Sequence, residues 1–246
     1  MSHWLFDLGN TRLKLAPVDA QGRIGEVQAI AHDGSAFAPD WQALLPERIG
    51  SAAVSSVVAA PLRTRLLNAL SARSGRISLA STLARCDGVR IAYPRPARLG
   101  VDRFLTLLGA HARGPGPWLL VGVGTALTID LLDDQGVHHG GRIAPSPALM
   151  RQALHARAAQ LPDEGGAYVE FAADTDDALA SGCEGAALAL IERSRSVATR
   201  QLGQVPTLLL HGGGAGPLAA GLEGAVLAPQ LVLEGLARWL GMEESA

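Results

Sequence analysis

The chain has 246 residues, enough for one large or two modest folded domains, and its 48% hydrophobic content excludes a disordered polymer. Its formal net charge of -2, with no basic stripe and no run of like charge, argues against nucleic acid as a main partner. Two cysteines without C-x-x-C spacing, and an acidic residue as early as Asp7, lead us to expect a reduced cytoplasmic protein with no signal peptide. The longest apolar stretch, Trp118 to Leu132, is broken by Gly122, Gly124, two threonines and Asp130, so no membrane span is expected.

Trp4 to Phe6 reads as a short strand that runs into the turn Asp7-Leu8-Gly9-Asn10-Thr11. Arg12 to Val18 alternates polar and apolar, as a half-buried strand does, so the two predict a hairpin with a polar tip. Ala52 to Ala59 is a further strand, and Pro61 suits the first turn of a helix over 62–73. Ile77 to Ala80 reads as a strand, 87–97 as loop, and 101–114 as a helix.

Gly114-Pro115-Gly116-Pro117 is the strongest breaker cluster and divides the chain into expected halves, 1–114 and 115–246. Strands are predicted at 118–123, 125–132 and 137–143. A helix starts at Ser146-Pro147, with Ser as cap, and is expected to reach about residue 160. Thr175, ahead of Asp176 and Asp177, is expected to cap a long helix that ends near Leu202. Leu208 to Leu210 is a strand before Gly212-Gly213-Gly214, and 231–240 is the last helix, with a leucine face for the core.

The halves echo one another, each opening on an apolar strand, a Gly/Thr turn and a second strand, so that Asp7 to Thr11 corresponds to Gly122 to Ala126. A repeat of this length is a domain duplication. Two α/β halves with a cleft between them would give a ligand its place.

Several segments carry residue types suited to phosphate chemistry. Gly9 permits close backbone approach, Asn10 and Thr11 add donors, Asp7 could hold a Mg²⁺ bridging phosphate oxygens, and Lys14 adds positive charge. An ordinary hairpin turn would use the same residues. Gly122 to Thr128 repeats the pattern, and Gly212 to Gly214 would let a nucleotide lie against the backbone or simply form a strand-to-helix loop. In Gly100-Val101-Asp102-Arg103 a carboxylate suited to accept a hydroxyl proton stands beside a guanidinium suited to bind an anion. The same carboxylate near a helix N-terminus also has a purely structural use. His138 and His139 point to opposite faces of any strand and read as exposed turn histidines, and Cys183 as core.

Taken in order, these segments resemble the type III pantothenate kinases. Asp7-Leu8-Gly9-Asn10-Thr11-Arg12-Leu13-Lys14 is similar to their N-terminal phosphate motif. Gly100 to Arg103, preceded by Tyr93, resembles their G-x-D-R substrate motif, and Gly124 to Asp130 their second phosphate motif. Gly140-Gly141, Leu161-Pro162, Asp174-Thr175, Ser181-Gly182 and Gly212-Gly213 continue the match along nearly the whole chain.

The resemblance implies two duplicated ribonuclease H-like (actin-like ATPase) domains and ATP-dependent phosphorylation of pantothenate to 4′-phosphopantothenate. It implies Mg²⁺, a monovalent cation such as K⁺ or NH₄⁺, and a homodimer with the substrate near its interface. Carried over by position, Asp102 matches the general base. Tyr93, Gly100, Val101, Asp102, Arg103 and Thr175 match substrate-binding positions, and Asp7 to Lys14 with Thr125 match ATP-binding positions. One departure matters: where the family has an aspartate associated with the monovalent cation, this chain has Gly122. A non-catalytic kinase-like accessory protein, or a kinase of another hydroxy acid, are the alternative expectations.

Overall fold

The hairpin forms where the alternation places it. In the computed structural model, which describes residues 3–243, β1 (His3–Leu8) pairs antiparallel with β2 (Arg12–Val18), and β3 (Gln28–Ala31) adds antiparallel to β2. On the other side of β1, β4 (Ser51–Ser56) runs parallel to it. A parallel neighbour needs a crossover, and α1 (Ala60–Ser71) carries the chain from β4 to β5 (Ile77–Leu79), parallel to β4. Phe6, Leu8, Leu13 and Leu15 leave one face of this sheet and meet Leu62, Leu66 and Leu70 of α1 in a single core. A small hairpin, β6 (Arg85–Cys86) and β7 (Val89–Arg90), precedes α2 (Val101–Ala112).

The second sheet repeats the first. It is built from β8 (Trp118–Val123), β9 (Ala126–Leu132) and β10 (His138–Pro145). After α3 (Pro147–His155) and α4 (Thr175–Leu202) come β11 (Thr207–His211), α5 (Ala215–Ala219), β12 (Val226–Leu227) and α6 (Leu231–Glu243). The strand orders are β3-β2-β1-β4-β5 and β10-β9-β8-β11-β12, so every strand of one sheet has a counterpart in the other. The senses repeat too: the first three strands are antiparallel, and β11 lies parallel to both β8 and β12. Val121, Val123, Ile129, Leu208 and Leu210 pack on Ala187 and Ile191 of α4 and Leu218 of α5. This is the duplicated, mixed-sheet α/β class expected from the chain.

The chain divides into two compact units. The first takes the described residues of 1–115, 135–137 and 230–246; the second takes 116–134 and 138–229. The last helix therefore falls in the first unit, not with residues 116–134 and 138–229 that precede it in sequence. The reason is close packing of α6 on α2, where Gly109 and Gly235 bring backbone against backbone.

Two element ends also differ from expectation. Helix α3 stops at His155 rather than near residue 160. The His155 Nδ1–H instead donates to the Leu161 carbonyl at 2.6 Å. The long helix is capped by Asp174, whose carboxylate accepts from the Asp177 amide at 3.0 Å, and Thr175 is its first helical residue. Among the described residues, no helix is long and apolar enough to cross a membrane.

Candidate active site

In the first unit a polar row crosses the sheet at the end of β1. Asp7 is the direct partner of Lys14 on β2 and of Ser55 on β4, so all three side chains leave the same face, opposite the Phe6–Leu8 core. The Ser55 hydroxyl donates to Asp7 Oδ1 at 2.6 Å. Burial pushes the Asp7 carboxyl up to about 6; the Ser55 bond pulls it down, the negative charge of Asp102 pushes it up, and Lys14 pulls it down.

The folded value of the Asp7 carboxyl lies above the ordinary 3.8, so the folded chain binds this proton more tightly than the unfolded one. Ionised Asp7 therefore opposes folding above about pH 6 and ceases to do so below about pH 4. We expect Asp7→Asn to melt higher than wild type at pH 8, with the gap closing as pH falls to 4. A gap that widens toward acid would show that Lys14 and Ser55 outweigh burial at this carboxylate.

The turn that follows is held from below. The Gly9 amide donates to the Arg12 carbonyl at 3.1 Å. His32 Nε2–H donates to the Gly9 carbonyl at 2.8 Å while its Nδ1 accepts the Gly34 amide at 3.1 Å, which fits a neutral ring. The His32 amide donates to the Thr11 carbonyl at 3.1 Å. Leu8 and Leu13 are buried anchors on either side, and Asn10, Thr11 and Arg12 are exposed at the tip. The sequence reading missed both Ser55 and His32. The serine pair that interrupts the apolar run 52–59 was the signal for the first; nothing local marks the second.

The start of α2 carries the second group. Gly100 is its N-cap, and a Cβ there would stand 2.6 Å from Asp102 Oδ1, so the glycine gives the carboxylate its space. That oxygen accepts the Arg103 amide at 2.8 Å. Val101 is half-buried beside it. The Arg103 guanidinium, in a residue only 6% exposed, lies 5.9 Å from the centre of the Tyr93 ring, and its Nη1 reaches the Tyr93 hydroxyl at 3.4 Å. The negative charge of Asp102 is felt at Asp7, so the start of α2 lies within electrostatic reach of the end of β1. Among the described residues no cluster of three or more His, Cys, Asp or Glu could hold a metal. The arrangement suits a Mg²⁺ that arrives on substrate phosphates and needs one or two carboxylates from the protein.

In the second unit the β8–β9 turn closes with the Gly124 amide donating to the Ala126 carbonyl at 3.0 Å, leaving Thr125 exposed. Buried Ser146 ties this turn to α3: its hydroxyl donates to the Thr125 carbonyl at 3.0 Å and accepts the Leu149 amide at 3.2 Å. The glycine run is latched alongside. Gly212, at φ 93°, leaves only 2.4 Å between a Cβ and the Val123 carbonyl oxygen, and the Gly214 amide donates to that carbonyl at 3.0 Å. Thr175 lies apart in this unit, in a shallow hollow with Leu161, Asp174 and Ala178.

The histidine pair departs from expectation. His138 is buried (1% exposed) and Nε2 sits 2.9 Å from Oδ1 of equally buried Asp130. It opens β10 rather than an exposed turn, because β9 supplies a carboxylate on the same face. His139 contacts Asp133 at 2.7 Å.

The chain is similar to known proteins in sequence and in fold. A family model described as type III pantothenate kinase matches residues 4–196. The chain is 58% identical to a type III pantothenate kinase of Xanthomonas campestris pv. campestris, over 97% of both chains. Among solved structures it resembles the activator of 2-hydroxyisocaproyl-CoA dehydratase from Clostridium difficile, with TM-score 0.55, 10% identity and coverage of 100% and 96%. It also resembles an archaeal actin homolog, with TM-score 0.54, 10% identity and full coverage of both. These structural likenesses mark the fold as that of actin-like ATPases.

Proposed function

The chain belongs to the type III pantothenate kinase family, and on that premise we propose which of its residues perform the reaction. The enzyme transfers the γ-phosphoryl group of ATP to the hydroxyl of pantothenate, giving 4′-phosphopantothenate, in coenzyme A synthesis.

Phosphoryl transfer asks for alignment, charge stabilisation and a group that orients the attacking hydroxyl. We assign that last task to Asp102, which accepts the hydroxyl proton, and the ATP phosphates to the Asp7–Lys14 segment and Thr125. Asp7 would hold the Mg²⁺ that arrives with ATP, which would supply positive charge against the phosphates. Tyr93, Gly100, Val101 and Arg103 would bind pantothenate, Arg103 through its carboxylate. Thr175 is assigned to the substrate on the resemblance alone. The observation that carries this reading is the start of α2, where Asp102 accepts the Arg103 amide and the nearly buried Arg103 guanidinium lies over the Tyr93 ring. A cytoplasmic location accords with the pathway.

We also propose a homodimer. An apolar groove of about 610 Å³ between α3 and α4, lined by Leu149, Met150, Leu154, Leu179 and Cys183, supports it. So does Phe171, 96% exposed in the same unit. Because residue 122 offers no carboxylate, we propose that K⁺ or NH₄⁺ activates this enzyme only weakly.

The test is ATP turnover by purified protein with Mg²⁺ and pantothenate, with and without K⁺ or NH₄⁺. Turnover that depends on pantothenate supports the assignment; folded protein that binds ATP yet does not turn over removes it. Arg103→Ala is expected to raise KM for pantothenate by roughly 10- to 150-fold, the worth of a hydrogen bond to a charged group of about 1.5–3 kcal/mol. KM for ATP should stay nearly constant. The opposite order would assign Arg103 to the nucleotide.

A further inference from the structure

The row that crosses the first sheet as Lys14, Asp7 and Ser55 has a counterpart in the second. There Gly122 on β8 is the direct partner of Thr128 on β9 and of His211 on β11. By strand order β8 matches β1, β9 matches β2 and β11 matches β4, so Gly122 stands where the first unit has its carboxylate. The place is not empty. A Cβ on Gly122 would lie 2.6 Å from Thr128 Oγ1 and 2.8 Å from both Cε1 and Nε2 of His211. The imidazole leans over the glycine from the neighbouring strand.

Its surroundings suit an anion. The row is on the face opposite Val121 and Val123, which pack in the core. His211 directly precedes the Gly212–Gly214 run, which is bonded to Val123, and Gly124 and Thr125 follow in the adjoining turn. A carboxylate at this place would repel a polyphosphate unless a cation stood between them. An imidazole N–H offers a hydrogen bond with no such intermediary.

Resting on the kinase reading above, we propose that His211 binds the phosphates of the nucleotide, its imidazole standing in the place of the side chain that residue 122 lacks. Gly122 is required because any side chain there displaces the ring. The residues do not fit a cation site centred on position 122, and the imidazole explains how the site works without one.

The test compares wild type with His211→Ala, His211→Gln and Gly122→Ala, each verified by thermal melting. His211→Ala should weaken ATP binding, measured calorimetrically with a non-hydrolysable analogue, by about tenfold, the effect of one charge-assisted hydrogen bond. KM for ATP should rise in step while KM for pantothenate stays within about twofold, less than half the free energy of that bond. His211→Gln keeps a donor and should recover part of the loss. Gly122→Ala keeps the imidazole but moves it, and should weaken ATP binding in the same direction. Unchanged ATP affinity in His211→Ala, or equal loss for ATP and pantothenate tracking a lower melting temperature, overturns the proposal. The binding measurement needs no turnover, so wild-type protein that binds ATP but does not phosphorylate pantothenate would end the kinase reading and leave His211 to be judged on affinity. Wild type that does not bind ATP overturns both.

Discussion

Asp102→Asn is expected to fold normally and to lose turnover by roughly 10²–10⁴-fold, the usual contribution of a positioned general base. The substitution keeps the shape and leaves an oxygen that can still accept the Arg103 amide, now at 2.8 Å, so the first turn of α2 should persist. What it removes is the ability to take the hydroxyl proton. Pantothenate affinity should change little, because Arg103 and Tyr93 are untouched. Gly100→Ala is the companion experiment. Its Cβ would stand 2.6 Å from Asp102 Oδ1, so the carboxylate must turn away although its chemistry is intact. Both should lower kcat with unchanged circular dichroism. Near-normal kcat in Asp102→Asn would remove the base assignment.

Gly235→Ala is expected to cost at least about 3 kcal/mol, the upper range for overpacking a filled interior. The added Cβ would lie 1.8 Å from the Leu105 carbonyl oxygen and 2.5 Å from its carbon, both backbone atoms that no rotamer change can move. Helices α2 and α6 would have to separate, which would loosen the packing around side chains such as Phe104, Leu108, Leu231 and Leu236, all fully buried on these helices. At about 2–4 °C per kcal/mol for a chain of this size, the melting temperature should fall by about 6–12 °C. Gly241→Ala, on the same helix with nothing within 4 Å of its Cβ, is the control and should melt at or slightly above wild type, because Ala favours a helix over Gly. Because α2 also carries Asp102 and Arg103, Gly235→Ala should lose activity at temperatures where it remains folded. Equal melting of the two variants would mean that the helices have slack the close approach does not suggest.

Much of the fold was legible because its signals are local. The period-2 alternation of Arg12 to Val18 dictates a half-buried strand, and Ser146-Pro147 starts a helix. The segments proposed for the site are legible in the same way: Asp7 to Lys14 and Gly100 to Arg103 are contiguous, so the chemistry proposed for them shows in the order of residue types. The repeat itself could be read from two similar turns, and the two sheets then repeat strand for strand.

Tertiary structure alone decided the contacts that join distant segments. Ser55 reaches Asp7 across 48 positions because β4 lies parallel to β1, and parallel pairing has no local signature. His138 is buried rather than exposed because β9 offers it Asp130. Helix α6 belongs to the first unit because two glycines let its backbone meet that of α2. At position 122 the sequence determined that a carboxylate is missing. Only the register of β11 against β8 decided that an imidazole fills the place, since side chains on neighbouring strands meet according to pairing and not to their distance along the chain.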